Sequence, residues 1–328
     1  MPKKGLNNCG VDGIMEVNET TLFNTKRGDD MATMEQVRGN TYVINTKSCC
    51  IPCYFMDPDT VILLDSGIAG SNGRELFELL EEKDLTVRAV LTSHAHFDHN
   101  GNHKPLREKY GATIYASVFN AAVMQNQVAM KSYLIDDTWH ELLTKGSSVF
   151  CAVDWVIDAD QTHVTVDDVT FEVLPLPGHS PEHIGFVTPD GVAYLADVLV
   201  STPQLKEIRL PYIICAEPHL ETLKWLRKQK YSAYILAHRG WYEDIGPFID
   251  QNEARLENNL QMTWSMLSSP MTQEECAAAL MNHLNVNCRT TFQWMSCNQT
   301  VRAMMQYLVD QGKVVKVIRN NKIYYSWV

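Results

Sequence analysis

No stretch of this chain approaches the ~18–20 uninterrupted apolar residues that a membrane helix needs, so contact with a membrane is not expected. The N-terminus lacks an apolar run as well. Lys3 and Lys4 lead only into Gly5-Leu6-Asn7-Asn8, which is no secretory signal, and the expected compartment is the cytoplasm. A disulfide framework is also missing: the nine cysteines are odd in number and scattered along the length. Cys49, Cys50 and Cys53 lie close together, but they sit in the apolar run Tyr42 to Phe55 without the two spaced pairs of a zinc site. They are expected as buried strand thiols. Positive charge is scarce, with 28 Lys and Arg against 39 Asp and Glu, a net of −11. Residues 268–328 reverse the trend, with six basic residues against three acidic ones, which leaves −14 on the rest. An acidic body with a mildly basic tail argues against a large nucleic-acid footprint.

What is present has the texture of a globular protein, 45% apolar and 20% charged, and 328 residues allow one large domain plus a small one. Residues 1–38 are polar and aperiodic and read as an N-terminal arm. From Asn40 the pattern is β: Tyr42–Asn45, Cys53–Met56 and, after the turn at Asp57-Pro58-Asp59, Val61–Asp65. Ser71 to Lys83 has helical spacing, and Val87–Leu91 is a strand running into a histidine cluster. Strands alternating with helices point to a layered fold over 39–267. Residues 119–145 interrupt it, with two short helices expected at Asn120–Met124 and Trp139–Leu143 around Asp136-Asp137, a lid-like insertion. More strands follow at 164–166, 170–174, 184–187, 192–195 and 234–236, and a helix at 248–267 leads out. In 268–328, Thr272-Gln273-Glu274-Glu275 fits a capping box, a second helix runs from about Gln299 to Gln311, and a hairpin turns at Asn320-Asn321.

The chemistry concentrates in Thr92-Ser93-His94-Ala95-His96-Phe97-Asp98-His99-Asn100-Gly101. Four metal-competent side chains fall within six positions on a loop leaving a buried strand. Imidazole with carboxylate suits zinc or iron, and His-x-His sends two side chains to one side of an extended segment. Asp98 and His99 can then turn to a second ion. His179 follows a strand in the tight loop Leu176-Pro177-Gly178, Asp197 ends the strand Ala193–Ala196, and His238 follows Tyr234–Ala237. Strand ends are where layered α/β sheets present binding groups. No nucleophile-elbow serine is present.

These residues resemble the HxHxDH–H–D–H ligand set of the metallo-β-lactamase superfamily, and more narrowly its glyoxalase II-like hydrolases, over about residues 40–250. The resemblance implies a four-layer αββα (α+β) fold binding two divalent metal ions, with zinc expected and iron or manganese also compatible. It implies that His94, His96 and His179 hold the first ion, that Asp98, His99 and His238 hold the second, and that Asp197 bridges them. Asp98 and His99 would then be catalytic together with a metal-bound hydroxide, because coordination to zinc lowers the pKa of water from ~15.7 to ~7. Asp65 matches an aspartate behind the ligands that orients the first loop, and His183 a second histidine that is not a ligand. The chain departs from the usual pattern at Ser180, Glu182, Ala196 and Arg239; Glu182 and Arg239 are expected to alter the charge of the site.

Within that superfamily, flavodiiron proteins typically carry Glu where His96 sits, and lactamases with a cysteine ligand need Cys at Asp197. The favoured reaction is hydrolysis of a small thioester, ester or lactone. An RNase-like nucleic-acid enzyme and a mono-iron enzyme resembling persulfide dioxygenases are the alternatives. Met124, Met130, Tyr133, Leu134, Trp139 and Leu143 are candidates to wall an acyl pocket, with Arg239 at its edge. The other histidines, His103, His140, His163, His219 and His283, read as structural or surface residues. The tail resembles a small winged-helix domain. Its basic groups are too few for a strong DNA reader, so packing on the catalytic domain or on a second subunit of a homodimer is expected.

Overall fold

Along the central strands the apolar side chains alternate between two faces, and both faces find a partner layer. The computed structural model describes residues 32–133, 138–145 and 149–328. Its first sheet runs in sequential order through β1 (Thr33–Arg38), β2 (Thr41–Asn45), β3 (Cys50–Phe55), β4 (Thr60–Leu64), β5 (Thr86–Leu91), β6 (Thr113–Ser117) and β7 (Trp155–Ile157). Pairing is antiparallel from β1 to β4 and parallel from β4 to β7. Parallel neighbours need crossovers. These are supplied by α1 (Ser71–Glu82), by α2 (Phe97–Asn100) with α3 (His103–Tyr110), and by α4 (Val118–Gln125), α5 (Gln127–Tyr133) and α6 (Trp139–Lys145).

The second sheet contains β8 (His163–Val166), β9 (Val169–Pro175), β10 (Ile184–Val187), β11 (Val192–Ala196), β12 (Ala233–Leu236) and β13 (Gly240–Tyr242), again side by side in chain order. Only β11 and β12 pair in parallel, joined through α7 (Thr202–Glu207) and α8 (Ala216–Leu226). In β4, Ile62 and Leu64 enter the core between the sheets while Val61 and Leu63 pack outward under helices. In β11, Val192, Tyr194 and Ala196 face that same inner core, and Ala193 and Leu195 face the helices on the far side. This two-residue alternation, buried on both sides, makes the two-sheet, helix-flanked metallo-β-lactamase fold.

Beyond the second sheet, α9 (Gly246–Met266) leads to α10 (Gln273–His283), α11 (Thr291–Asp310) and the hairpin β14 (Val314–Arg319) with β15 (Lys322–Trp327). The capping box at Thr272 and Glu275 is formed, and Asn320 and Asn321 take positive φ of 49° and 60° as a two-residue hairpin turn requires. Met304, Met305 and Leu308 of α11 lie in one core with Leu210, Ile213, Leu220, Leu256 and Leu260. The tail therefore packs on the α8–α9 layer through one face of α11, while Lys316, Arg319 and Lys322 of the hairpin stay exposed.

Two expectations shift, and one holds. The N-terminal arm ends earlier than residue 38, because Thr33–Arg38 is the edge strand of the first sheet; residues 1–31 lie outside the described residues. The insertion at 119–145 carries three helices rather than two, and Leu134, Asp136 and Asp137 lie outside the described residues. Cys49, Cys50 and Cys53 are buried free thiols, as the apolar run implies.

Candidate metal centre

The C-terminal ends of β5, β11 and β12 and the loop after β9 open on one edge of the sandwich, and each contributes donors there. His94, His96, Asp98 and His99 follow β5, His179 follows β9, Asp197 follows β11 and His238 follows β12. Their donor atoms gather into two groups, within each of which all atoms lie within 4.8 Å of one another. One holds His94, His96, His179 and Asp197; the other holds Asp98, His99, Asp197 and His238. These are the two sets expected from the resemblance, and Asp197 belongs to both.

The first set is crowded with nitrogen. His96 Nδ1 lies 2.9 Å from His94 Nε2 and 3.1 Å from His179 Nε2. In the second, His99 Nε2 is 3.2 Å from Asp197 Oδ2, and His238 Nε2 is 3.4 Å from Asp98 Oδ2 and 3.5 Å from Asp197 Oδ1. Burial holds His94, His96 and His179 below the ordinary imidazole range, His179 down to about 4, so each presents a neutral lone pair. Burial also acts against charge on His99 and His238, but the carboxylates of Asp197 and Asp98 outweigh it and push both well up. The same histidines hold Asp98 and Asp197 low against their own burial. Three neutral imidazoles converging at hydrogen-bond distance, beside ionised carboxylates, suit a divalent cation, and the donor set fits the two-metal group that the fold implies.

The outer nitrogen of each ring is held from behind, which fixes the ring plane. His94 Nδ1 faces Ser93 Oγ at 3.0 Å, and His96 Nε2 faces the Tyr133 hydroxyl at 2.9 Å. His179 Nδ1 and His238 Nδ1 donate to the backbone carbonyls of Tyr212 (3.2 Å) and Ser48 (2.9 Å). His99 Nδ1 donates to Asp65 Oδ2 at 2.8 Å. Asp65, buried and at φ 65°, collects three further donors: Ser93 N at 2.7 Å, Ser93 Oγ at 2.6 Å and Tyr194 OH at 2.7 Å. It ties β4, β11 and the histidine loop into one unit. His183 stands where expected, buried beside His94 and accepting from Asp197 N at 3.3 Å. His103, fully buried, faces the Ser66 and Thr92 hydroxyls at 2.6 and 2.8 Å, a structural clamp behind the loop.

Several candidates move. Met124 and Met130 are fully buried in the helix-covered core, so they hold α4 and α5 to the sheet rather than wall a pocket. Tyr133 does reach the centre, through His96, and burial raises the phenols of Tyr133 and Tyr212. Trp139 and Leu143 are exposed on α6. Glu182 does not face the metal cluster: its carboxylate accepts from Phe119 N at 2.6 Å, at the start of α4. Arg239, at φ 92°, turns to Glu207 at 3.6 Å. Sequence reasoning missed Tyr194, Tyr212 and Ser48. Tyr194 had a signal, since it shares a strand face with Ala196 next to Asp197. Ser48 and Tyr212 act on the rings through backbone carbonyls, which no side-chain pattern announces.

Residues 48–238 match the metallo-beta-lactamase superfamily, and the chain belongs to that family. Hydroxyacylglutathione hydrolase GloC of Haemophilus influenzae is 28% identical over 140 residues, 40% of this chain and 58% of that protein. Probable metallo-hydrolase YqgX of Bacillus subtilis is 28% identical over 150 residues, 45% of this chain and 62% of that protein. The chain thus spans about three-fifths of the length of these curated relatives. A beta-lactamase domain protein from Burkholderia ambifaria shares the fold, with a TM-score of 0.71 at 17% identity over 90% of this chain and 93% of that one.

Proposed function

We propose that the protein is a two-metal hydrolase of a small thioester, ester or lactone. The observation that carries this reading is the pair of donor sets meeting at Asp197, with every ring nitrogen that faces outward held by a hydrogen-bond partner. Divalent cations bound there supply Lewis-acid polarisation and lower the pKa of water. Zinc is the ion we expect, and iron or manganese accept the same donors. The chain's own part is to orient the donors through Asp65, Ser93 and Tyr133 and to keep His94, His96 and His179 neutral by burial. Tyr133 and Tyr212 stand beside His96 on the rim, where a small substrate would approach. Several of the curated relatives are named hydroxyacylglutathione hydrolases, which supports the thioester within this class.

The second donor set supports two ions over the single iron of persulfide dioxygenases. The packing of Met304, Met305 and Leu308 on the α8–α9 layer supports a structural tail, on this protomer or in a homodimer. Metal analysis combined with a panel of thioesters, esters, lactones, β-lactams and RNA tests the reading. We expect two metals per chain and turnover of a thioester, ester or lactone that His96→Ala abolishes. Metal-loaded protein that turns over only RNA, or turnover indifferent to His96→Ala, refutes it.

A further inference from the structure

A second concavity lies where α7, the segment following it, α9 and the end of α10 meet. Its volume is about 510 Å³, within the range that holds small molecules, and none of its lining residues belongs to the metal cluster. Lys206, Arg209, Arg255 and His283 line it together with the carboxamides of Asn258 and Asn259, and no carboxylate does. Among the described residues none of Lys206, Arg209 and Arg255 forms an ion pair with a carboxylate, although the chain carries a net −11. Like charges gathered without a counter-charge repel, and an anion reverses the sign of that interaction.

The cations are also placed. Arg209 donates from Nη1 to Leu284 O at 2.7 Å, and Arg255 from Nη1 to Ile208 O at 3.2 Å. Each guanidinium has five N–H groups, so one bond anchors it and the others stay available to a planar or tetrahedral anion. Asn259 is 2% exposed and donates from Nδ2 to Arg209 O at 3.2 Å, and its buried Oδ1 has no partner among the described residues.

We propose that this cavity binds a phosphorylated small molecule. The site is separate from the metal centre and goes beyond the hydrolase reading. The probe is inorganic phosphate, titrated calorimetrically into metal-loaded protein at constant ionic strength, with chloride as the control. Phosphate also binds metals, so His96→Ala is titrated in parallel. We expect saturable binding that His96→Ala retains and that Arg209→Gln with Arg255→Gln weakens about tenfold or more, the scale of one lost charge-assisted hydrogen bond. Since both arginines also hold backbone carbonyls, Lys206→Gln serves as a second variant, expected to weaken binding without changing the unfolding midpoint. No saturable binding overturns the proposal. So does binding that disappears in His96→Ala, or that persists undiminished in both the arginine and lysine variants.

Discussion

Gly178 has φ 134°, and a Cβ there would lie 2.4 Å from His219 Cβ and 2.5 Å from its Cα. Neither atom is the free end of a side chain, so Gly178→Ala must push the loop, and His179 with it, away from His96. We expect destabilisation on the order of 3 kcal/mol and loss of metal from the first donor set, read by thermal unfolding and metal content. Full metal content in that variant would show that the loop adapts. Asp65→Asn keeps the shape but replaces one acceptor oxygen by a donor facing Ser93, His99 or Tyr194. Metal affinity should fall about 10–100-fold in chelator competition, the usual scale for a partner behind a ligand. His103 links burial to pH. Burial pushes it down to about 4 from 6.5, so the unfolded chain takes the proton first. Its contribution is intact above about 6.5 and declines as pH falls toward about 4, by up to about 1.4 kcal/mol per pH unit, then levels. Urea midpoints measured across that window should fall less steeply in His103→Gln; an identical slope would remove His103 from the account.

At the scale of elements, local signals told most where they were self-contained. The capping box at Thr272, the Asn320-Asn321 turn and the helical spacing of α1 were all legible, because each is closed within a few residues. Thr272→Ala should lower stability by about 1 kcal/mol, with the loss confined to α10 in amide exchange. The contiguous HxHxDH run was legible for the same reason. The strand β6 was not, since four of its five residues are buried, on both faces, by layers distant in sequence. Edge strand β1 carries a mostly exposed polar surface and takes its conformation from pairing with β2. The fate of Glu182 was equally hidden: a carboxylate beside a histidine motif looks like site chemistry until the start of α4 is seen to claim it.

At the scale of the whole molecule, the tail and the second sheet's helices form one hydrophobic unit. Met271 and Tyr325 exchange backbone hydrogen bonds at 3.0 and 2.8 Å, and Trp264 stacks on Trp327 with ring centroids 4.7 Å apart. Deleting residues 268–328 would uncover Leu256, Leu260 and Leu267 along with Leu210 and Leu220. We expect the truncated chain to aggregate on expression rather than survive as a trimmed enzyme, which a solubility assay decides.

The shared core also has a temporal side. A ribosome delivers Leu210, Leu220 and Leu256 before the residues of α10, α11 and β14 that cover them. At about 5–20 residues per second, several seconds separate the two events, during which a finished two-sheet body carries a naked apolar flank. The nascent protein is therefore exposed to misassembly until α10, α11 and β14 have emerged, and a pause in translation after α9 would lengthen that window.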